Sequence, residues 1–200
     1  NMNSRSYDTI RKLSRGKFTM SAFIQLKTLA KNTVGQSDDY LLHEINVLLE
    51  LYKQLDAKIQ EIEEQVVACI RGINPPMLSI PGIGALSAAI ILSEYGDFGK
   101  YDSPSKMLSF AGLEPGYFQS GQSEHTGHMV KHGSSHLRYA VMNCCLPLIT
   151  NEPVFAEYYA KKRAEGKPHR VAMTHVAKKL LRVIYTLQTT NVTYDPELIR

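Results

Sequence analysis

Residues 45–72 read INVLLELYKQLDAKIQEIEEQVVACIRG, and their periodicity decides the fold class. Ile45, Leu48, Tyr52, Leu55, Ile59, Ile62, Val66 and Cys69 recur at alternating steps of three and four, the a and d positions of four heptads. The run KIQEIEEQ supplies charged flanks. So narrow an apolar seam requires another helix beside it. Two arrangements satisfy it: an antiparallel hairpin with the preceding helix, or a coiled coil between copies of the chain.

Outward from this seam the pattern stays helical. Phe23, Leu26, Leu29 and Ala30 fall at helical spacing within 18–34. Ser37, ahead of Asp38 and Asp39, is positioned to cap the heptad helix. Gly72 and the pair Pro75-Pro76 end that helix. Short helices are expected around Met77–Ile80, after Gly84 and after Ser103-Pro104, the last pair suiting Ncap and N1. Ser134 or Ser135 then opens a helix running to about Leu148, and Pro153 and Gly166 bracket another. In the last helix Ala172, Val176, Leu180, Val183 and Leu187 face inward, while His175, Lys179 and Arg182 share the opposite side. No strand alternation competes. The expected class is all-α: a long coiled-coil-like helix, then a compact helical domain with a helix-hairpin-helix-like element. Expected boundaries are 1–36 for an N-terminal helical linker, 37–72 for the coiled coil and 73–200 for the helical domain.

Composition narrows the function. Residues 1–100 carry 11 Lys/Arg against 11 Asp/Glu, whereas residues 101–200 carry 12 against 8 and hold six of the seven histidines. This asymmetry points to an anionic partner for the second half. Cys69, Cys144 and Cys145 make no disulfide framework; the adjacent pair reads as small buried side chains. No apolar run reaches the roughly 18 residues that span a bilayer, so no membrane partner is expected and the chain is placed in the cytoplasm. The abrupt opening NMNSRSYDTIRKLSRGKFTM suggests a piece of a longer protein.

Three motifs bear on chemistry. In PGIGALSAAIILSE (81–94) the Gly82-Ile83-Gly84 turn enters a helix, leaving backbone N–H donors that suit a phosphate oxygen. Its alternative is a glycine-rich connection between packed helices. Lys161, Lys162, Arg163, Lys167, Arg170, Lys178, Lys179 and Arg182 form a basic run, either a solvated face or a set of phosphate contacts. The segment GYFQSGQSEHTGHMVKHGSSHLRYA (116–140) spaces His128, His132 and His136 four apart. Gly127 and Gly133 argue against one continuous helix, and no Cys or carboxylate stands at a recognised zinc spacing, so no metal is assigned to this chain. Ser120, between Gln119 and Gly121, is a hydroxyl in a turn that needs a base or metal to act as a nucleophile.

The ordered landmarks PGIG, the FAGL-x-P turn, Ser120-Gly121, Gly-x-x-x-Lys-x-Gly, the Leu137-Arg138 helix start, YYAKKRAEGKP and Ala-x-Lys-Lys-Leu-Leu resemble the C-terminal transposase domain of a bacterial insertion-sequence family related to the Piv-type DNA invertases. The resemblance covers about residues 78–187, and the heptads resemble that family's connecting coiled coil. It implies a recombinase whose RuvC-like acidic N-terminal domain holds divalent metal (Mg) and whose C-terminal domain brings a serine nucleophile. It further implies DNA as substrate, an element-encoded guide RNA, a homo-oligomer through residues 37–72 and a bacterial, nucleoid-associated location. Carried over by position, Ser120 is the nucleophile, Lys131, Gly133, Leu137 and Arg138 form the adjacent motif, and Lys178 and Lys179 belong to the last helix. No RuvC-like strand pattern with spaced acids precedes residue 37, since Asp8, Asp38 and Asp39 do not supply it. The expectation is therefore a DNA-binding, serine-bearing part that does not recombine DNA alone. The competing expectation is a non-enzymatic helix-hairpin-helix nucleic-acid-binding and dimerisation module.

Overall fold

The heptad segment forms a single helix, α3 (Asp39–Ile73), in the computed structural model. The structure describes residues 4–33, 38–120, 123–129 and 132–199. Asp38 caps α3: its Oδ1 accepts from the N–H groups of Tyr40 at 2.9 Å and Leu41 at 3.3 Å. Ser37, the expected cap, lies outside the described residues. Ile45, Leu48, Tyr52, Leu55, Ile59 and Ile62 are each more than half exposed, whereas Val66, further along the seam, packs against the core.

The chain divides into two compact units, Asn1–Leu55 and Asp56–Arg200. The first holds α1 (Ser4–Leu13), α2 (Met20–Lys31) and the beginning of α3. Thr19 caps α2 by accepting from the Ala22 N–H. Helix α1 is not expected from the sequence, where its ten residues offer few apolar side chains. Its anchor is Tyr7, which packs edge-on against Phe23 with ring centroids 5.4 Å apart and lies 6.5 Å from Phe18.

In the second unit the core is built around α6 (Ser135–Asn151) and α8 (His169–Thr190). Against them pack α4 (Ala85–Tyr95), α5 (Pro104–Phe110) and α7 (Pro153–Ala164). The inward stripe expected for the last helix, Ala172, Val176, Leu180, Val183 and Leu187, is buried throughout. Leu180→Ala removes a fully buried side chain and is expected to lower unfolding free energy by about 2–5 kcal/mol, measured by urea titration. Cys144 and Cys145 are also core residues, and burial pushes the Cys145 thiol up to about 12.

Among the described residues the fold is all-α apart from one antiparallel hairpin, β1 (Pro115–Ser120) and β2 (Ser123–Met129), inserted between α5 and α6. This hairpin is the main departure from the sequence reading, which expects no strands. Its register pairs Tyr117 with Thr126, Phe118 with His125, Gln119 with Glu124 and Ser120 with Ser123, with an irregularity between Pro115 and Tyr117.

The PGIG turn resolves into two different glycines. Gly82 has φ 97°, and a Cβ placed there would stand 2.8 Å from the backbone nitrogen of Leu148 in α6. It is the close approach of turn to helix that selects glycine at this position. Gly82→Ala is expected to cost at least about 2 kcal/mol, visible as an earlier chemical-denaturation midpoint. Gly84, by contrast, is exposed with open space around it and opens α4 without a side-chain cap. On the N-terminal side of the turn stands one 3₁₀ turn, Pro76–Ser79, so the geometry does not establish the helix-hairpin-helix arrangement expected there.

Candidate nucleic-acid interface

The root of the hairpin is tied where α5 ends and α6 begins. Ser134 Oγ caps α6 by accepting from the Leu137 N–H at 3.1 Å, and the Ser134 N–H donates to Phe110 O at 3.1 Å. Arg138, half-buried, donates from Nη1 to Ala111 O at 3.1 Å across 27 residues of sequence. Gly133 lies so close that a Cβ would fall 2.0 Å from Phe110 O and 2.4 Å from the Gly112 nitrogen. These contacts hold the two roots of the hairpin together and leave its turn at the far end. Ser120 ends β1, next to that turn, where its backbone pairs with Ser123. Lys131 lies outside the described residues.

The three histidines spaced four apart fall in three different settings: His128 in β2, His132 in the connection and His136 in α6. Among the described residues no group of three or more His, Cys, Asp or Glu assembles as a metal site.

The basic run divides by environment. Lys162 is turned to Glu165, its Nζ lying 2.8 Å from Oε1, and also lies over the Tyr158 ring. That pairing raises the Lys162 ammonium's pKa and lowers that of the Glu165 carboxyl. Arg163 Nη1 donates to Lys167 O at 2.7 Å, closing the corner between α7 and α8. Lys161 and Arg170 are exposed. At the same corner Tyr159 Oη and His169 Nδ1 are 2.7 Å apart.

On α8 the cations are better anchored. Lys179 Nζ sits 5.3 Å from the Phe155 ring centre and 5.0 Å from that of Tyr158, a cation–π placement that fixes a half-buried ammonium. Burial lowers its pKa, partly offset by Glu157. Lys178 is lowered chiefly by burial; Glu114 favours its charged form and Arg182 opposes it. Among the described residues none of Lys178, Lys179 and Arg182 enters a salt bridge.

His175 shares this setting. Burial lowers its pKa, as do Lys178, Lys162 and Lys167, while Glu165 works the other way. A histidine depressed in the fold leaves the unfolded chain binding more protons between the two pKa values, so stability rises with pH through that window. The contribution is complete above the ordinary histidine value and is lost as pH falls through the depressed one. An NMR titration is expected to place the His175 midpoint below that of a model-peptide histidine, with thermal stability falling over the same range.

Fold and surface thus define an all-α domain with an inserted hairpin and a row of cations on α8 without a salt bridge among the described residues. Residues 75–160 match the family model described as Transposase IS116/IS110/IS902 family. The chain resembles the C-terminal part of these insertion-sequence transposases and of the related Piv-type inverting proteins. It is 27% identical over 139 residues to an uncharacterized 43.6 kDa protein of insertion element IS110 from Streptomyces coelicolor, covering 68% of this chain and 34% of that protein. It is 25% identical over 151 residues to a probable family 20 transposase from Pseudomonas aeruginosa, covering 71% and 44%. It is 27% identical over 150 residues to the pilin gene-inverting protein of Moraxella bovis, covering 72% and 45%. The chain therefore spans between a third and a half of the length of these relatives.

Sequence reasoning did not single out Glu114, Phe155 or Tyr158, the residues that set the state of Lys178 and Lys179. The aromatic pair was detectable in principle, because Phe155 and Tyr158 stand three apart on one helix face. Glu114 was not, since its proximity to Lys178 depends on how α8 packs against α5.

Proposed function

We propose that the chain is the DNA-contacting and serine-bearing part of an insertion-sequence transposase, acting in DNA transposition. The observation that carries this reading is the set Lys178, Lys179 and Arg182, held on one helix without salt-bridge partners among the described residues, in a chain whose residues 75–160 match a transposase family model. Lys161, Lys162, Arg163, Lys167 and Arg170 extend that surface toward α7, and the exposed Gly84 at the start of α4 adds backbone donors. Ser120, beside the turn of a hairpin whose root is fixed, is the candidate nucleophile. The metal-binding carboxylates would come from a separate acidic domain, whose divalent ion would lower the pKa of a bound hydroxyl. A guide RNA of the element is a further proposed partner of the whole protein.

Homo-oligomerisation is proposed through the heptad seam of α3, within the expected 37–72 segment, because its a and d side chains from Ile45 to Ile62 are left exposed. The nucleic-acid reading is tested by fluorescence anisotropy with a labelled DNA duplex at 50 and 200 mM salt. Engagement of six or more phosphates predicts a loss of about 10³-fold or more across that interval. Affinity indifferent to salt would count against it.

A further inference from the structure

Beyond Asn191 the chain turns back along α8. Asn191 adopts a left-handed conformation (φ 54°, ψ 42°) and donates from its N–H to Leu187 O, as does Val192 at 3.3 Å. Two residues on, the Tyr194 N–H donates to Ser79 Oγ at 2.7 Å, pinning the returning segment to the core. Between this segment and α8 lies a cavity of about 290 Å³. Its apolar wall is formed by Val183, Leu187 and Val192. Thr186 and Thr193 also line it, together with Lys179 and Arg182 from α8 and Asp195 from the returning segment.

We propose that this cavity is a nucleotide subsite, receiving one unstacked base of a single-stranded nucleic acid with its phosphate on Lys179 and Arg182. The proposal rests on the nucleic-acid reading above and adds to it a site for a base. Each wall suits one part of that ligand. A base offers two flat apolar faces, which fit between aliphatic side chains, and hydrogen-bonding edges, which suit threonine hydroxyls. Lys179, already held over Phe155 and Tyr158, presents its ammonium to a phosphate without first losing the freedom of a loose lysine. Asp195 repels a phosphate, so the ligand has one orientation, and its carboxylate accepts from an exocyclic amino group. Asp195 Oδ1 already accepts from the Glu197 N–H at 2.9 Å, which fixes the carboxylate and leaves Oδ2 for the base. Adenine, cytosine and guanine carry such a donor, and thymine and uracil do not. A cavity of this size has room for a base and its sugar but not a base pair, so the strand must be single or opened there.

The test uses the whole 200-residue chain and single-stranded DNA and RNA oligonucleotides carrying one 2-aminopurine. Binding is followed by anisotropy, and unstacking by the rise in 2-aminopurine emission. The expected result is an emission rise on binding that Val192→Trp, which fills the cavity, abolishes with about tenfold loss of affinity and an unchanged salt slope. A response in either oligonucleotide supports the subsite and identifies which nucleic acid supplies the base. Asp195→Ala, the second variant, is expected to erase a preference for cytosine-bearing over thymine-bearing strands. Salt-dependent binding with no emission change, or with the same change in Val192→Trp, overturns the subsite and leaves the nucleic-acid reading standing. Failure to bind any oligonucleotide at low salt overturns both.

Discussion

Under the proposed nucleophile role, Ser120→Ala in the full-length protein is expected to reduce strand exchange by at least about 10³-fold while leaving DNA affinity and oligomeric state unchanged. Loss of a nucleophile that no neighbouring group replaces removes the covalent route, and single-residue losses of this kind reach about 10⁴–10⁶ in hydrolases. Ser120 stands next to the turn of the hairpin, and the contacts holding the hairpin are made at the other end, by Arg138, Ser134 and Gly133. The substitution therefore removes a hydroxyl without touching the residues that position the arm. Strand exchange measured on donor and target DNA with the proposed guide RNA, beside an anisotropy control, reads the two effects separately. Full activity in the alanine variant would end the nucleophile assignment.

The second large effect is expected on α3. Leu48→Lys combined with Leu55→Lys places charges at two adjacent d positions of a seam whose members from Ile45 to Ile62 are more than half exposed in the single chain. In a coiled coil each such side chain fills a hole on the partner helix, so two buried charges are expected to cost several kcal/mol of association. Light scattering should then report a monomer at concentrations where the parent chain is a dimer. Because these positions are exposed in the monomer, helicity and the unfolding transition of the core should stay close to those of the parent. A parent chain that is itself a monomer at high concentration would sink the seam as an interface.

What could be read from the sequence was what local chemistry dictates. Ser134 capping α6, Pro153 opening α7 and the buried stripe from Ala172 to Leu187 all follow from neighbours within one or two turns. The hairpin did not announce itself because Gly116, Gly127 and four polar side chains from Ser123 to Thr126 hide any alternation, and its stability depends on pairing across the turn. Helix α1 escaped for a related reason, since Tyr7 gains its partner only when Phe23 of α2 folds beside it. For Gly82 packing supplies a reason for glycine that spacing does not show: the backbone of Leu148, 66 positions on, leaves no room for a Cβ. Arg138, read as a DNA contact, also makes a long-range tie to Ala111 that no spacing rule would suggest. The cavity beside α8 exists because the chain returns after Asn191, which a periodicity argument ending at the helix could not anticipate.

In the proposed role α8 meets nucleic acid through Lys178, Lys179 and Arg182, which form no salt bridge among the described residues. The most direct test of that role compares the parent chain with Lys178→Ala/Lys179→Ala/Arg182→Ala across a salt series, plotting log affinity against log salt. Three lost phosphate contacts predict a slope shallower by about 2.7 on duplex DNA, together with weaker binding at every salt concentration where the parent binds. An unchanged slope and affinity in a folded triple variant would contradict the account.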